Sequence, residues 1–276
     1  MADRRRRERL QHVLRGWNAF ERRLQGRPIQ WVLTDFDGTL APIRRHPDQA
    51  GLSGASRAAL QRLMRDVGVS VAIVSGRSIS QLRALVRLPG AVYIGNHGLE
   101  MSGPSVRFVH PGARRARPVL RRIAGQLRRA LRDVPGSLVE DKGLSLSVHW
   151  RRVRPSDVEQ FYRKLKNVLA PWVRRRAVRV ARGKRVVEIR PPVVWHKGSA
   201  VEWLMKRSGS SKSLVIMFGD DRTDEDAFRA VNRCFGISVY VGRRPGGTAA
   251  RWRLDGPREV RVTLQRLWGH GHGHTG

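Results

Sequence analysis

An α/β fold is predicted: a parallel-sheet core interrupted by an inserted α+β domain. Three observations predict it. From residue 29 short apolar, β-rich runs alternate with helical patterns; after about residue 104 the order becomes α-β-β-α-β-β; and near residue 196 the first alternation resumes. Strands joined by helical crossovers must lie parallel, and a block of hairpins builds an antiparallel sheet of its own.

The elements follow in order. IQWVLTDF is apolar and stops abruptly at Asp and Gly, as a buried parallel strand does. A helix is expected over 55–67, closed by Gly68, then VSVAIVSG as a strand, SISQLRALVRL as a helix and AVYIGNHG as a third strand. The inserted block reads as the helix RRARPVLRRIAGQLRRALRDV, two strands in SLVEDKGLSLSVHWR, the helix PSDVEQFYRKLKNVLAPW, and a hairpin in AVRVARGKRVVEIRP turning at Arg182-Gly183-Lys184. HKGSAVEWLMKR, SLVIMFGDD, TDEDAFRAVN and ISVYVG complete the helix-strand-helix-strand return. Residues 1–27 are expected to form one basic amphipathic helix, because Leu10, Val13, Leu14, Trp17, Phe20 and Leu24 recur at helical spacing. The expected divisions are thus that extension, a core of 28–110 and 189–266, an insert of 111–188, and a His/Gly tail of 267–276 with too little apolar content to order.

Composition narrows the class. With 276 residues and 40% apolar content a sizeable core is available, and no apolar run is long enough to span a membrane. The basic N-terminal stretch has no apolar segment behind it, which argues against a secretory signal, and the single Cys234 excludes an intrachain disulfide. A cytoplasmic, soluble monomer is expected. The formal net charge of +33 attracts polyanions at low salt. It is spread, however, as RRRR at 4–7, RR at 114–115 and 121–122, RRR at 174–176 and single residues, with no zinc-finger, RRM-like or basic-zipper pattern. Solvated arginine on helix faces explains it, and no specific nucleic-acid partner is expected.

Two acidic groups carry chemistry. Asp35-Phe36-Asp37-Gly38-Thr39 places two carboxylates at the C-terminal end of a strand, the ligand crevice of an open parallel sheet, with Gly38 permitting a sharp turn. A solvated turn would use the same residue types. The second group, Gly219-Asp220-Asp221-Arg222-Thr223-Asp224-Glu225-Asp226, also follows an apolar strand, in a chain otherwise short of acids. Helix capping accounts for some of Thr223 to Asp226, not for Asp220. Carboxylates gathered at adjacent strand ends repel unless a cation lies among them, and hard oxygen ligands favour Mg²⁺ over zinc. Between the two groups lie Ser75-Gly76-Arg77 at a strand end and His196-Lys197-Gly198 opening a helix, a hydroxyl and an ammonium suited to phosphate.

DFDGT, a strand-end Ser, a Lys and GDDRTD in this order resemble the haloacid dehalogenase (HAD) superfamily of phosphatases across residues 29–265. More narrowly, LTDFDGTLAPI, VSGRS, GNHGLE, VEDKGLSLSVHWR, VEIRP, HKG and GDDRTDEDAF resemble the trehalose-6-phosphate phosphatase family. The resemblance implies a Rossmann-like core with a C2-type cap and hydrolysis of a sugar phosphate through an aspartyl-phosphate. It implies Asp35 as nucleophile, Asp37 as acid and base, and Ser75, Thr39 and Lys197 around the phosphoryl group. Mg²⁺ would be held by Asp35, the Asp37 backbone carbonyl and Asp220, with Asp224 orienting a water. Glu140, Lys142 and Glu188 are the implied cap contacts to the sugar, with Arg77, Asn96 and His97 contributing from the core. His149 and Arg190 are as readily explained as paired strand residues, and Trp150 and Trp195 as packing. Other sugar phosphates, such as sucrose, mannosylglycerate or hexose phosphates, stay open as substrates. A basic nucleic-acid-binding protein on a degenerate fold of this type is the alternative from another class.

Overall fold

The structure is a computed structural model that describes residues 10–44, 50–209, 213–243 and 246–272. In chain order the elements are β1 (Gln11–His12), α1 (Trp17–Arg22), β2 (Ile29–Thr34), α2 (Gly54–Asp66), β3 (Ser70–Val74), α3 (Ile79–Val86), β4 (Val92–Gly95), β5 (Glu100–Gly103) and β6 (Val106–Val109). Then come α4 (Pro111–Ala130), β7 (Leu138–Asp141), β8 (Leu146–His149), α5 (Val158–Arg174), β9 (Arg179–Gly183) and β10 (Val186–Arg190). The chain returns through α6 (Lys197–Arg207), β11 (Leu214–Gly219), α7 (Glu225–Arg233), β12 (Ile237–Val241), β13 (Trp252–Leu254) and α8 (Pro257–His272). It divides into two compact units, Met1–Arg107 with Trp195–Gly276, and Phe108–Val194.

The first unit is built on a sheet in the order β1-β13-β12-β11-β2-β3-β4-β5-β6. From β1 to β4 every pairing is parallel; β5 turns back antiparallel on β4. The central strands are apolar because helices cover both faces of a parallel sheet. Val32 and Leu33 of β2, Ile73 and Val74 of β3, and Ile216, Met217 and Phe218 of β11 are all 0% exposed. Each such side chain contributes about 1.5–3 kcal/mol by leaving water. With β2 flanked by β3 and β11, the first acidic motif emerges at the middle of the sheet, beside the second.

The second unit has a four-stranded antiparallel sheet in the order β7-β8-β10-β9. One face supplies Leu146, Val148, Val187 and Ile189 to a core closed by Leu120, Ile123 and Leu127 of α4 and Phe161, Leu165 and Leu169 of α5. Alternation along the strands gives the opposite face to Glu140, Ser147, His149, Glu188 and Arg190. Register puts Glu140 beside Ser147 and Ser147 beside Glu188, so the two carboxylates share one row across the sheet.

Two expectations are corrected at the ends of the chain. The segment 1–27 is not one helix. Residues 1–9 lie outside the described residues; Gln11–His12 pairs with β13, and helix covers only Trp17–Arg22. The helical spacing did mark buried positions: Val13, Phe20 and Leu24 are buried, and Phe20 meets Trp252 edge-on with centroids 5.1 Å apart. Strand pairing at the sheet edge, followed by Gly16 at the helix start, breaks the periodicity into two elements. Beside this pairing His12 Nε2 lies 3.1 Å from Glu259 Oε2, and Arg15 Nη2 donates to Asp255 Oδ2 at 3.1 Å. The tail, expected to be disordered from 267, is helical to His272. Leu267 is fully buried, Trp268 Nε1 donates to Asp66 Oδ2 at 3.0 Å and His270 lies 3.4 Å from Glu21, so packing carries the helix through a Gly-rich sequence. Residues 273–276 lie outside the described residues. Among the described residues no helix is long and apolar enough to cross a membrane.

Candidate active site

The site is assembled at the C-terminal ends of β2, β3 and β11 with the start of α6. Asp35 follows β2, and its N–H donates to the Phe218 carbonyl of β11 at 2.8 Å, which fixes the carboxylate against the neighbouring strand. The chain then turns back, with the Gly38 N–H donating to the Ala41 carbonyl at 2.7 Å. Gly38 has φ +89°, and a Cβ there would stand 2.1 Å from Asp220 Oδ2. Only glycine lets the two acidic segments come this close. Thr39, fully buried, donates to Asp220 Oδ1 at 3.3 Å.

After β11 the acidic run forms a single tight helical turn, Arg222–Asp224, before α7. Asp221 caps it by accepting the Thr223 N–H at 2.7 Å, while Asp224 Oδ2 accepts the N–H groups of Asp220 and Asp221, both at 3.1 Å. Capping therefore draws on the same acidic run that supplies Asp220 and Asp224 to the carboxylate cluster. A Cβ at Gly219 would stand 2.5 Å from Asp224 Cγ, so this folded-back carboxylate also depends on a glycine. Lys197, the first residue of α6, projects a buried ammonium that donates to Asp35 Oδ1 and Asp224 Oδ1, each at 2.7 Å.

The electrostatics are unbalanced. Burial raises Asp35 well above the ordinary carboxylate range; Lys197 opposes this, and Asp224, Asp220 and Asp221 add to it. Burial and the neighbouring carboxylates push Asp220 up to about 7. Asp224 is raised to about 6 by burial, with Lys197 opposing and Asp221 reinforcing. Burial disfavours the charge on Lys197, yet Asp224 and Asp35 hold its pKa well above the usual value, so it stays an ammonium. One ammonium is thus shared by a cluster of carboxylates that repel one another. Oxygens of Asp35, Asp220 and Asp224 lie within 4.8 Å of each other. This all-oxygen donor set, whose protonation is favoured first by burial and then by the neighbouring carboxylates, fits a hard divalent cation.

A second loop adjoins. Ser75, at the end of β3, is buried; its Oγ accepts the Arg77 N–H at 3.2 Å. Arg77 donates to both oxygens of Asp37, Nε to Oδ2 at 2.6 Å and Nη2 to Oδ1 at 2.7 Å. Asn96 and His97 have φ of 50° and 57°, two successive left-handed residues that cost conformational energy. The Asn96 N–H donates to the Arg77 carbonyl, the His97 N–H to the Ser75 carbonyl, and Asn96 Nδ2 to Glu100 Oε1 at 2.6 Å, which ties the ends of β3 and β4 together. Glu100 also accepts the Ile79 N–H at 3.1 Å. Its organising part was missed in the sequence, where it is only the last letter of GNHGLE.

The predicted residues thus fall into three sets. Asp35, Thr39, Lys197, Asp220 and Asp224 form one contact network; Asp37, Ser75, Arg77, Asn96 and His97 form the adjoining loops; Glu140, Lys142 and Glu188 belong to the second unit. There Glu140 pairs with His149 at 2.8 Å and Glu188 with Arg190, whose Nε donates at 2.8 Å. Lys142 closes the β7–β8 turn through its N–H to the Ser145 carbonyl at 3.0 Å. Trp150 packs at 5.6 Å from the Tyr162 ring, and Trp195 Nε1 donates to the Gly98 carbonyl at 2.7 Å.

A parallel sheet carrying paired strand-end carboxylates and a buried lysine, interrupted by an antiparallel unit, is the haloacid dehalogenase-like fold. The fold is shared with the C-terminal domain of Candida albicans trehalose-6-phosphate phosphatase (TM-score 0.78, 24% identity, covering 95% of this chain and 98% of that one). It is also shared with a haloacid dehalogenase-like hydrolase from Bacteroides thetaiotaomicron (TM-score 0.62, 17% identity, 87% and 99% covered). The trehalose-phosphatase family model matches residues 33–258, and the chain belongs to that family of phosphoric monoester hydrolases. It is 36% identical over 256 residues to probable trehalose-phosphate phosphatase D of Arabidopsis thaliana, covering 88% of this chain and 68% of the relative. It is likewise 36% identical over 243 residues to the trehalose-phosphate phosphatase of Mycobacterium tuberculosis, covering 86% of this chain and 60% of that one.

Proposed function

We propose that this enzyme hydrolyses trehalose 6-phosphate to trehalose and phosphate through a phosphorylated Asp35, with Mg²⁺ in the acidic cluster. The observation that carries the reading is the Lys197 ammonium bridging Asp35 and Asp224 at 2.7 Å each, beside Asp220. A nucleophilic carboxylate and a phosphate dianion approach only where their repulsion is offset. Mg²⁺, held by Asp35, the Asp37 backbone carbonyl and Asp220 with Asp224 behind them, would supply charge neutralisation and Lewis acidity to the phosphoryl oxygens.

The chain's own groups then account for both halves of the reaction. An Asp35 oxygen forms a bond to phosphorus as the bond to the sugar oxygen breaks, and Asp37 gives that oxygen a proton. Asp37 then takes a proton from the water whose oxygen replaces Asp35 on phosphorus. Thr39, Ser75 and Lys197 bind phosphoryl oxygens. In the second unit, the shared row of Glu140 and Glu188, with Lys142 nearby in sequence, offers acceptors and a donor for sugar hydroxyls, and His149 and Arg190 orient the two carboxylates. The substrate named for the relatives at 36% identity supports the disaccharide phosphate over simpler esters. A cytoplasmic setting accords with Cys234 as a free thiol.

A phosphate-release assay with trehalose 6-phosphate beside sucrose, mannosylglycerate and hexose phosphates tests this. Trehalose 6-phosphate is expected to give the highest kcat/KM by at least about tenfold, a difference of ~1.4 kcal/mol in transition-state binding. A clear preference for another member of the panel would replace the substrate while leaving the chemistry.

A further inference from the structure

The family resemblance implies Arg77 as a substrate contact, yet its side chain is directed to Asp37. Its side chain is only 10% exposed, against 36% for the Asp37 side chain that it grips by both oxygens at 2.6 and 2.7 Å. The arginine is fixed from behind. Its N–H donates to Ser75 Oγ at 3.2 Å, its carbonyl accepts the Asn96 N–H at 2.7 Å, and its guanidinium lies 5.6 Å from the centre of the Phe36 ring. The strained Asn96–His97 turn thus supports Arg77, and Arg77 supports Asp37. A rigid guanidinium fork sets both the position and the plane of a carboxylate, which a point-charge ammonium does not.

We infer that Arg77 is a positioning residue for Asp37: it holds the carboxyl in the orientation from which a proton passes to the leaving sugar oxygen. This rests on the proton-transfer role proposed above for Asp37. A carboxylate offers about four lone-pair positions. The fork takes the two that face Arg77 and leaves the outward ones for the proton. In the first half-reaction the electron pair of the broken P–O bond stays on the sugar oxygen and the Asp37 proton joins it. In the second, the proton of the attacking water returns to Asp37 while the electron pair of the P–O bond to Asp35 returns to Asp35. Two of the three guanidinium nitrogens, Nε and Nη2, are committed to Asp37.

Single-turnover departure of the leaving group tests this in Arg77→Ala, Arg77→Lys, Asp37→Asn and the Arg77→Ala/Asp37→Asn double variant, with trehalose 6-phosphate and with p-nitrophenyl phosphate. Arg77→Ala is expected to slow departure of the sugar by about 10²-fold with KM changed less than about 2-fold. Departure of p-nitrophenolate, which needs no proton, is expected to slow by less than about 5-fold, which also reports an intact fold. Arg77→Lys should recover only part of the loss. Adding Arg77→Ala to Asp37→Asn should cost less than about 3-fold more, because the two act as one unit. A raised KM with unchanged departure of the sugar, or a full Arg77→Ala loss in the Asp37→Asn background, overturns the inference. An Asp37→Asn enzyme as fast as the parent overturns the proton-transfer role itself, and the inference with it.

Discussion

The two units handle charge in opposite ways. Phe108–Val194 carries 23 Lys and Arg against 6 Asp and Glu, so about half of the net +33 lies on less than a third of the chain. Almost all of it faces water: α4 has seven arginines and no acid, with Arg114, Arg115, Arg121, Arg122, Arg128 and Arg129 exposed. The other unit turns its few decisive charges inward, with Asp35 5%, Lys197 2% and Asp224 0% exposed. Exposed arginines are screened by solvent and individually contribute little. Buried carboxylates around one ammonium are coupled strongly enough to move one another's protonation. The number of charges in a region is therefore a poor guide to its chemistry, and their burial is a good one.

The sharpest way to break this contrast is at its buried end. Asp35→Asn is expected to reduce phosphate release by more than about 10³-fold with an unchanged far-UV circular dichroism spectrum. Retained turnover would remove Asp35 from the chemistry. Chelation by EDTA is expected to suppress turnover by at least about a hundredfold, with recovery on adding Mg²⁺, measured by phosphate release. Within the second unit the apolar core matters more than the arginines. Phe161→Ala should lower unfolding free energy by about 3–5 kcal/mol in a urea titration, because that ring is fully buried between α5 and the sheet. Glu188→Gln, on the polar face of the same sheet, is expected to raise KM for trehalose 6-phosphate about tenfold and leave p-nitrophenyl phosphate turnover unchanged. The smallest effect belongs to the Arg128→Gln/Arg129→Gln double variant, expected within about 0.5 kcal/mol in stability and within about twofold in kcat/KM. A large loss there would give the arginine surface a function.

The same contrast explains what could be read from the sequence. β2, β3 and β11 were legible because buried parallel strands are continuous apolar runs ended by turn residues. The acidic cluster stood out because it is anomalous in a basic chain. By contrast, β5 and β6 form a short hairpin around Gly103-Pro104-Ser105, and β13 is three residues long, too brief for either period to register. β1 pairs with a partner more than two hundred residues away, and the apolar spacing around it predicts a longer helix than forms. At the site, Asp35, Lys197, Asp220 and Asp224 could be named from motifs. The fork between Arg77 and Asp37 could not, since it joins residues forty apart whose types suit many other roles. Nor could the pairing of Glu140 with His149, which register across β7 and β8 decides.

Trapping the covalent state of Asp35 tests the central claim most directly. Enzyme quenched in acid during turnover of trehalose 6-phosphate, then digested and mapped by mass spectrometry, is expected to carry phosphate on the peptide containing Asp35, and to lose it in Asp35→Asn. Label on any other residue, or steady turnover with none trapped at Asp35 on the millisecond scale, would contradict Asp35 as the nucleophile.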